Sequence, residues 1–341
     1  MNIPIPALLK KLIARKDLTE DEAFEAIHGM LSGEFTEGQI GAFLGTLSAK
    51  GETIDEIAGA ARAMRAAATR LQSLSRDTLD TVGTGGDGGM TFNVSTTVAF
   101  VAAGAGAVVA KHGNRASSGK SGSADCLECL GFNLAAAPEL MEQALNEIGI
   151  AFMFAPSFHK AMRFAGPVRK QMGVRTLFNL LGPLTNPAGA PCQLLGVFAP
   201  ELTEAFAEVL KKLGSRRVLV VHGHDGMDEI TLTTTSRCSE LKDGRIKTYD
   251  IDPAVYFENY CTNADLEGGT PADNAQITRR ILEGKITGPK RDIVLINSAA
   301  SLLSANRCAD LAEGIRQSAA AIDSGAALDK LEKLVAFSKS T

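Results

Sequence analysis

The sequence lacks a long run of charge of one sign. Its 341 residues have a formal net charge of −4, with no extended basic or acidic tract. Nucleic-acid and anionic-membrane surfaces require a concentrated basic face, so we expect neither as the main partner. Short basic clusters, such as Arg115 with Lys120 and Arg169 with Lys170, still suit a small phosphorylated ligand.

Cysteine is too sparse for a disulfide framework. The six cysteines include one C-x-x-C pair, Cys126 and Cys129, with no second pair at zinc spacing. The pair falls at i and i+3 of a predicted helix, which favours buried free thiols over metal or redox work. A reducing cytoplasm fits this cysteine usage, and we expect the protein there.

Segments typical of secretion or of a membrane span are also missing. Residues 1–6 lack the charged and apolar regions of a signal peptide. Residues 88–110 carry no charge, but glycines and hydroxyl side chains interrupt the apolar run. We therefore predict a buried helix and strand of a soluble core there.

The first seventy residues have the pattern of short helices. Thr19, Thr36 and Thr53 each stand three residues before a Glu or Gln and open an apolar-periodic run, which is the signature of a capping box. Such short helices have little core of their own. We expect a helical domain over residues 1–72 that packs on the rest of the chain and forms a homodimer.

From about residue 77, strands alternate with helices, which predicts an α/β domain over residues 73–341 with a mostly parallel central sheet flanked by helices. Residues 239–249 have the pattern of a hairpin centred on Asp243 and Gly244. Part of the basic segment 157–180 is expected to return to the helical domain. Strands are predicted at 79–82, 107–111, 150–154, 194–198, 218–221 and 293–296.

The most distinctive segment is the glycine cluster at 83–89, between the first predicted strand and a helical pattern from 93. Clustered glycines allow close backbone approach and positive φ angles. A strand, a glycine turn and a helix N-terminus present backbone N–H groups to an anion, usually phosphate. Neither the dinucleotide fingerprint nor the Walker pattern fits. A mobile surface loop is the alternative.

Residues 111–125 form a second candidate segment. It follows the predicted strand at 107–111 and is rich in glycine, serine and basic residues. Ligands of parallel α/β sheets gather at the carboxyl ends of strands, so this loop suits a phosphate or sugar-phosphate. An ordinary polar surface loop is the alternative.

Asp228 and Glu229 are adjacent carboxylates just past the strand predicted at 218–221. Mg²⁺ prefers oxygen ligands and often bridges protein to substrate phosphates, so the pair suits this ion. His222, His224 and Asp225 raise zinc as an alternative, but no matching pair supports it. An acidic pair by itself is usually only solvated.

Residues 167–187 contain two arginines, Arg169 and Arg175, and rigid Gly-Pro and Asn-Pro steps. An arginine offers a planar fork that suits a carboxylate. Either arginine could instead have a structural role, and the chemistry of the arginine side chain alone does not show which of the two binds a ligand.

Together these segments resemble the anthranilate phosphoribosyltransferase family over nearly the whole chain. The matching motifs are GTGGDG at 83–88, TFNVST at 91–96, KHGNR at 111–115, SGSAD at 121–125, LGPLTNP at 181–187 and Asp-Glu at 228–229. The resemblance implies that the amine of anthranilate displaces pyrophosphate at C1 of 5-phosphoribosyl 1-pyrophosphate (PRPP). The product would be N-(5-phosphoribosyl)anthranilate, in tryptophan biosynthesis, with Mg²⁺ as cofactor.

The resemblance also implies roles for individual residues. Those expected to hold PRPP are Gly83, Gly86, Asp87, Thr91, Asn93, Val94, Ser95, Thr96, Lys111, His112, Gly113, Asn114, Arg115, Ala116, Ser117, Ser118, Gly119 and Ser123. Those expected at anthranilate are Gly83, Asn114, His159 and Arg169, with His112 and His159 along its access path. Those expected at Mg²⁺ are Ser95, Asp228 and Glu229. His112 and the substrate carboxylate are the alternatives for the proton acceptor.

Three positions depart from the family pattern. Gly119 stands where a serine is usual, Ser117 replaces a common apolar residue, and Lys160 after His159 differs from many relatives. The nearest competing function is that of a pyrimidine nucleoside phosphorylase, because the resemblance implies the same fold for both enzymes. The acidic pair and residues 111–115 favour the PRPP enzyme. A non-catalytic relative that binds nucleic acid would need a basic face, which a net charge of −4 does not support.

Overall fold

The structure, a computed structural model, describes residues 4–73, 75–85, 91–116, 119–258 and 260–340. Its N-terminal part is a helical bundle of α1 (Ile5–Ile13), α2 (Glu20–Leu31), α3 (Glu37–Lys50) and α4 (Ile54–Ala67). All three predicted capping boxes are present, at Thr19, Thr36 and Thr53. Each threonine oxygen accepts a hydrogen bond from the N3 backbone, and the N3 side chain caps the threonine N–H in return.

The rest of the described chain is an α/β unit around one seven-stranded sheet. The strands are β1 (Leu79–Gly83), β2 (Val109–Gly113), β3 (Ile150–Phe154), β4 (Cys192–Gly196), β5 (Arg217–Gly223), β6 (Ser236–Lys242) and β7 (Arg245–Ile251). The helices are α5 (Val94–Gly104), α6 (Ser123–Cys129), α7 (Pro138–Glu147), α8 (Ala155–Phe158), α9 (Gly166–Met172), α10 (Phe178–Leu181), α11 (Leu202–Lys212), α12 (Asn263–Leu266), α13 (Pro271–Leu282), α14 (Pro289–Ser304), α15 (Leu311–Asp323) and α16 (Ala326–Phe337). Short 3₁₀ helices cover Lys160–Arg163, Gly182–Leu184 and Pro253–Val255.

The strand order is β3-β2-β1-β4-β5-β6-β7. Strands β1 to β5 are parallel, whereas β6 and β7 add an antiparallel edge. The predicted mostly parallel sheet and α/β fold class are therefore confirmed. The chain proceeds outward from β1 to β3 and then returns to β4 beside β1, where Gly83 is the register partner of Gly196. This reversal of strand order opens a crevice at the carboxyl ends of the two strands, where ligands of such sheets bind.

Two hydrophobic cores lie on the two sides of this sheet. Helices α5, α14, α15 and α16 contribute to one core, while the N-terminal bundle and α11 contribute to the other. The segment after β3 contributes Ala165, Val168 and Phe178 to the core of the bundle. These three residues thus pack with the helical bundle, while the assignment of part of 157–180 to the helical domain stays a prediction. The domain ranges 1–72 and 73–341 stay a prediction.

Element ends and one element type differ from the sequence expectations. Strand β2 begins two residues later than predicted, and β4 begins two residues earlier. The strand predicted at 293–296 is wrong, because these residues lie inside α14. This helix is buried from Ile293 to Ser304, so its apolar run has no amphipathic period to distinguish it from a strand.

Three smaller expectations have mixed outcomes. The hairpin at 239–249 is confirmed, with Asp243 and Gly244 both at positive φ (50° and 74°) in the turn. Cys126 is a buried free thiol, but Cys129 is exposed, because the short helix α6 turns only one face inward. Among the described residues, no helix has the length and apolarity needed to cross a membrane.

Candidate functional site

The acidic pair reaches the crevice between β1 and β4. An Asp228 carboxylate oxygen accepts a hydrogen bond from the backbone N–H of Gly85, with 2.9 Å between the two atoms. A Cβ atom on Gly83 would lie 2.4 Å from the same oxygen, so a side chain at position 83 would displace the Asp228 carboxylate. The glycine turn and the acidic pair, which are far apart in sequence, therefore meet at one point.

Part of the predicted anion cradle is outside the described residues. This applies to Gly86, Asp87, Ser117 and Ser118. The first turn of α5 is described and carries Ser95 and Thr96, with no acidic residue in it. A helix N-terminus without an acidic side chain leaves its N–H groups and its positive dipole end to an incoming anion.

Asn93, which directly precedes α5, joins the cradle to the second candidate loop. Its side-chain oxygen accepts hydrogen bonds from the Ser121 hydroxyl (2.8 Å) and the Asn274 amide (3.0 Å). Its amide donates to the Ser121 carbonyl at 3.1 Å. Thr91 forms an isolated antiparallel bridge with Glu267 beside it. The start of α5, the loop before α6 and the start of α13 are thus held together.

Lys111 lies beneath the cradle and is buried. Its ammonium donates to the Thr81 carbonyl at 2.5 Å and to the Ser95 hydroxyl at 3.3 Å. Burial lowers the pKa of Lys111, and the charges of Asp80 and Glu229 oppose that shift. The structure therefore brings Ser95 and Lys111 into contact, and Glu229 lies close enough for its charge to act on Lys111.

Asp80 is a fully buried carboxyl on β1, and no local motif in the sequence points to it. It accepts a hydrogen bond from the His112 backbone N–H at 3.2 Å. Burial raises the pKa of Asp80 to about 6, although Lys111 opposes the shift.

The loop after β2 folds back onto α6. A Cβ atom on Gly113 would lie 2.1 Å from the Ser123 hydroxyl oxygen, and that hydroxyl donates to the Asn114 carbonyl at 3.3 Å. The Ala116 N–H is bonded to Asp125 at 2.8 Å. The Arg115 guanidinium forms ion pairs with carboxylates of α6, at 2.8 Å from both Asp125 and Glu128. Gly119 is exposed at the far end of this loop.

His112 and His159 form a buried pair, with 5.1 Å between their ring centroids. Burial is the main cause that lowers the pKa of His112 to about 3 and that of His159 to about 4. Their ring N–H groups bond to the carbonyls of Gly182 and Thr185, which opposes this lowering only in part, so both rings are neutral near pH 7. Neither Nε2 atom has a hydrogen-bond partner within the described part of the chain.

The two candidate arginines stack on different aromatic rings. The Arg169 guanidinium on α9 lies 5.1 Å from the Phe178 ring centroid, and burial lowers its pKa. Arg175 is exposed and lies 4.6 Å from the ring of Phe198, which follows β4. No ion pair to a carboxylate is found for either arginine among the residues that the structure describes.

These arginines belong to a long stretch without acidic residues. Between Glu147 and Glu201 the sequence has no Asp or Glu. The basic side chains in this acid-free segment are Lys160, Arg163, Arg169, Lys170 and Arg175. The segment thus gives a protein of net negative charge a local run of positive side chains, and Arg175 lies against Phe198 just after β4; such charge favours the approach of anions.

The oxygen donors Ser95, Asp228 and Glu229 suit Mg²⁺ when phosphate oxygens complete the coordination. No group of three or more His, Cys, Asp or Glu side chains that could hold a metal ion is found over the described ranges. The zinc alternative has no support, because its residues have other partners. His222 bonds to the Val197 carbonyl (2.7 Å), and His224 pairs with Asp250 (3.2 Å).

Several residues that shape the site were not expected. Asn274 on α13 contacts Asn93, and Asn297 on α14 contacts the backbone next to Glu229. Neither has a local motif in the sequence, and the strand predicted at 293–296 ends just before Asn297. Asp225 was considered only as a zinc ligand, although an Asp-Gly step can indicate a turn held by the aspartate side chain.

The class of protein follows from this fold and site together. Residues 6–68 match the family model described as "Glycosyl transferase family, helical bundle domain", and residues 75–328 match "Glycosyl transferase family, a/b domain". The helical bundle and the crevice-bearing sheet are therefore the two parts of one known enzyme architecture.

Individual relatives narrow the class further. The chain is 57% identical to an anthranilate phosphoribosyltransferase of Desulfosudis oleivorans, over 97% of this chain and 98% of the relative. A crystal structure of the Thermus thermophilus enzyme superposes with a TM-score of 0.92 at 45% identity, over 97% and 99% of the two chains. A Saccharomyces cerevisiae enzyme in complex with PRPP and Mg gives a TM-score of 0.90 at 28% identity, over 99% and 98%. The chain belongs to the anthranilate phosphoribosyltransferase family of pentosyl-transferring glycosyltransferases.

Proposed function

We propose that the protein transfers the 5-phosphoribosyl group of PRPP to the amine of anthranilate, giving N-(5-phosphoribosyl)anthranilate and pyrophosphate in tryptophan biosynthesis. The observation that carries this proposal is the convergence at the β1–β4 crevice. There the glycine turn and Lys111, which can bind an anion, lie together with the acidic pair Asp228–Glu229, which can bind a cation. A diphosphate with its metal ion needs both kinds of group.

The α/β part would hold PRPP. Backbone N–H groups at the glycine turn and the start of α5 would contact phosphate oxygens, with Lys111 below them. Ser95, Asp228 and Glu229 would hold Mg²⁺ through oxygen ligands. When bound, Mg²⁺ neutralises negative charge on the departing pyrophosphate. The remaining proposed PRPP contacts are Gly83, Gly86, Asp87, Thr91, Asn93, Val94, Thr96, His112 to Gly119, and Ser123.

Arg169 would bind the carboxylate of anthranilate. Its guanidinium is half-buried and has no carboxylate partner within the described residues, so an incoming carboxylate would relieve an uncompensated charge. Gly83, Asn114 and His159 would complete the acceptor site. The aromatic amine is neutral and nucleophilic near pH 7, so holding it against C1 would supply much of the rate.

The proton acceptor would be the carboxylate of anthranilate rather than His112. A pKa of about 3 leaves His112 unprotonated near pH 7, but it also makes the imidazole a weak base. The ring would instead line the access path of the substrate together with His159. The reaction then needs no nucleophilic residue.

The protein would function as a cytoplasmic homodimer joined through its helical domain, residues 1–72 with part of 157–180. Ile13 at the end of α1 is 69% exposed, which is consistent with a contact surface on the bundle. Sedimentation of the purified protein would decide the oligomeric state, and a monomer at micromolar concentration would contradict this part of the proposal.

The activity is tested by the loss of anthranilate fluorescence in the presence of PRPP, with and without Mg²⁺. We expect rapid loss only when PRPP and Mg²⁺ are both present. Thymidine or uridine with inorganic phosphate is the matched control for the related phosphorylase chemistry and should give no free base. An absence of turnover with anthranilate, or phosphorolysis of either nucleoside, would contradict the proposal.

A further inference from the structure

Asn297 of α14 is fully buried, and its side chain holds the residue that follows the acidic pair. Its amide oxygen accepts a hydrogen bond from the Ile230 N–H at 2.9 Å. Its amide nitrogen donates to the Ile230 carbonyl at 2.9 Å and to the Ile293 carbonyl at 2.9 Å. Two opposed hydrogen bonds to a single residue fix both the position and the direction of the backbone there.

Asp225 holds the same loop from its other end. One carboxylate oxygen accepts from the Met227 N–H at 3.1 Å. The other accepts from the hydroxyls of Thr231 and Thr233 at 2.7 and 2.5 Å. The Gly223 N–H closes the turn by donating to the Met227 carbonyl at 2.8 Å. The backbone on both sides of Asp228 and Glu229 is therefore fixed by side chains that are not themselves in the acidic pair.

The acidic pair needs such support because its loop passes close to the sheet. A Cβ atom on Gly196 would lie 1.6 Å from the Asp228 carbonyl oxygen, so the two backbones are in direct contact. A small shift of the loop would move both carboxylates relative to Ser95 and Gly85. The side chains that bind a metal ion must be positioned to within a fraction of an ångström. Neighbouring residues that hydrogen-bond to these side chains or to their backbone usually hold them there.

We propose that Asn297 and Asp225 are positioning residues for Asp228 and Glu229, and that their hydrogen bonds pre-organise the two carboxylates for the Mg²⁺-bound diphosphate of the substrate. This inference rests on the proposed function for the identity of the ligand. The restraint on the loop itself belongs to the free protein and is measurable without substrate.

The test compares Asn297→Leu, which keeps the approximate shape but removes both hydrogen bonds to Ile230, with Ser301→Ala. Ser301 is a buried residue one turn further along α14 whose hydroxyl bonds to the Asn297 carbonyl at 2.8 Å, so it controls for loss of a buried hydrogen bond in this helix. Hydrogen exchange would follow the Ile230 amide in the free protein. Calorimetry would measure PRPP affinity with and without Mg²⁺.

For Asn297→Leu we expect Ile230 exchange to accelerate and PRPP affinity in Mg²⁺ to fall by roughly tenfold or more, the equivalent of one lost buried hydrogen bond. Without Mg²⁺ the PRPP affinity should stay within about twofold of that of the unaltered protein, and Ser301→Ala should leave both measurements unchanged. An unchanged Ile230 exchange rate, or an equal loss of affinity with and without Mg²⁺, would overturn the inference.

A second pair of variants applies if Asn297→Leu does not fold. Asp225→Ala removes all three acceptor contacts, whereas Asp225→Asn keeps one acceptor oxygen and a group that can donate to a threonine hydroxyl. We expect the alanine variant to lose Mg²⁺-dependent PRPP affinity and the asparagine variant to recover part of it. Equal affinities for the two variants and the unaltered protein would overturn the inference. If the unaltered protein binds no PRPP, the proposed function fails, while the exchange result still stands.

Discussion

Gly196 and Asp228 touch through their backbones, because a side-chain carbon on Gly196 would lie 1.6 Å from the Asp228 carbonyl oxygen. The end of β4 and the loop after β5 are therefore in contact without any side chain between them. The position of the acidic pair therefore depends on this contact as well as on its own loop.

The first prediction concerns Gly196→Ala. The added methyl group must push the Asp228 backbone away, since backbone atoms cannot yield as a flexible side chain does. We expect kcat/KM for PRPP to fall at least about tenfold, with a loss of stability of about 1–3 kcal/mol. Gly38→Ala is the matched control, because a Cβ atom there meets nothing within 4 Å and Gly38 lies in a helix. Steady-state kinetics and thermal unfolding of the two variants measure both effects.

The second prediction concerns Arg169→Ala. Loss of a charge-assisted hydrogen bond to a carboxylate is worth about 1.5–3 kcal/mol, so KM for anthranilate should rise roughly 10- to 100-fold while KM for PRPP changes little. Arg163→Ala is the control, because Arg163 lies in the same acid-free segment and stacks on Phe164 at 4.8 Å. An equal rise in both KM values for Arg169→Ala would remove Arg169 from the acceptor site.

The third prediction concerns stability at acid pH. The pKa of His112 is about 3 in the folded protein, below its ordinary value of 6.5, so the unfolded chain binds the proton first as the pH falls. The stability from this group is complete above pH 6.5 and is lost as the pH falls toward 3. Between pH 7 and pH 5 this loss should be about 2 kcal/mol.

His112→Gln removes the titrating group, and its amide can still donate to the Gly182 carbonyl. Denaturant unfolding at pH 7 and pH 5 should therefore show a smaller pH-dependent loss in this variant than in the unaltered protein. The two proteins are compared with each other because Asp80 acts on both in the opposite direction. Its raised pKa favours the folded state as the pH falls through about 6. Identical pH dependence in both proteins would contradict the prediction.

The fourth prediction concerns ionic strength. The acid-free segment places positive charge beside the crevice, and salt screens such long-range attraction of anions. We expect kcat/KM for PRPP to fall as salt rises, and to fall less steeply when Arg163 and Lys170 are both changed to Gln. Arg62→Gln is the control, because Arg62 is paired with Glu20 and Asp21 on the helical bundle. A slope that is unchanged in the double variant would exclude a role for this segment in substrate approach.

Local signals in the sequence predicted much of this fold. Each capping box depends on four neighbouring residues, so Thr19, Thr36 and Thr53 could be interpreted without tertiary information. The glycine turn and the acidic pair were also visible, because each follows a strand. That they share a crevice follows from the strand order, in which β1 lies between β2 and β4, and β5 lies beside β4.

The parts that escaped prediction depend on burial from several directions. Helix α14 is covered all round, so its sequence loses the period that distinguishes helix from strand. Asn297 and Asn274 act through partners 67 and 181 positions away in the chain. Nothing local distinguishes a buried asparagine that binds backbone from one on the surface, and only the folded chain reveals the partner.

The packing of α9 on α3 has a consequence for how the site can change. Val168 on α9 belongs to the core of the helical bundle, and a Cβ atom on Gly41 of α3 would lie 3.7 Å from it. Arg169 is the next residue, whereas Lys111 and Asp228 are carried by the sheet and its loops. In the proposed reaction, the distance between the anthranilate carboxylate at Arg169 and the PRPP site is therefore set by the packing of the helical bundle on the sheet. Substitutions in α3, remote from either ligand, can retune that separation.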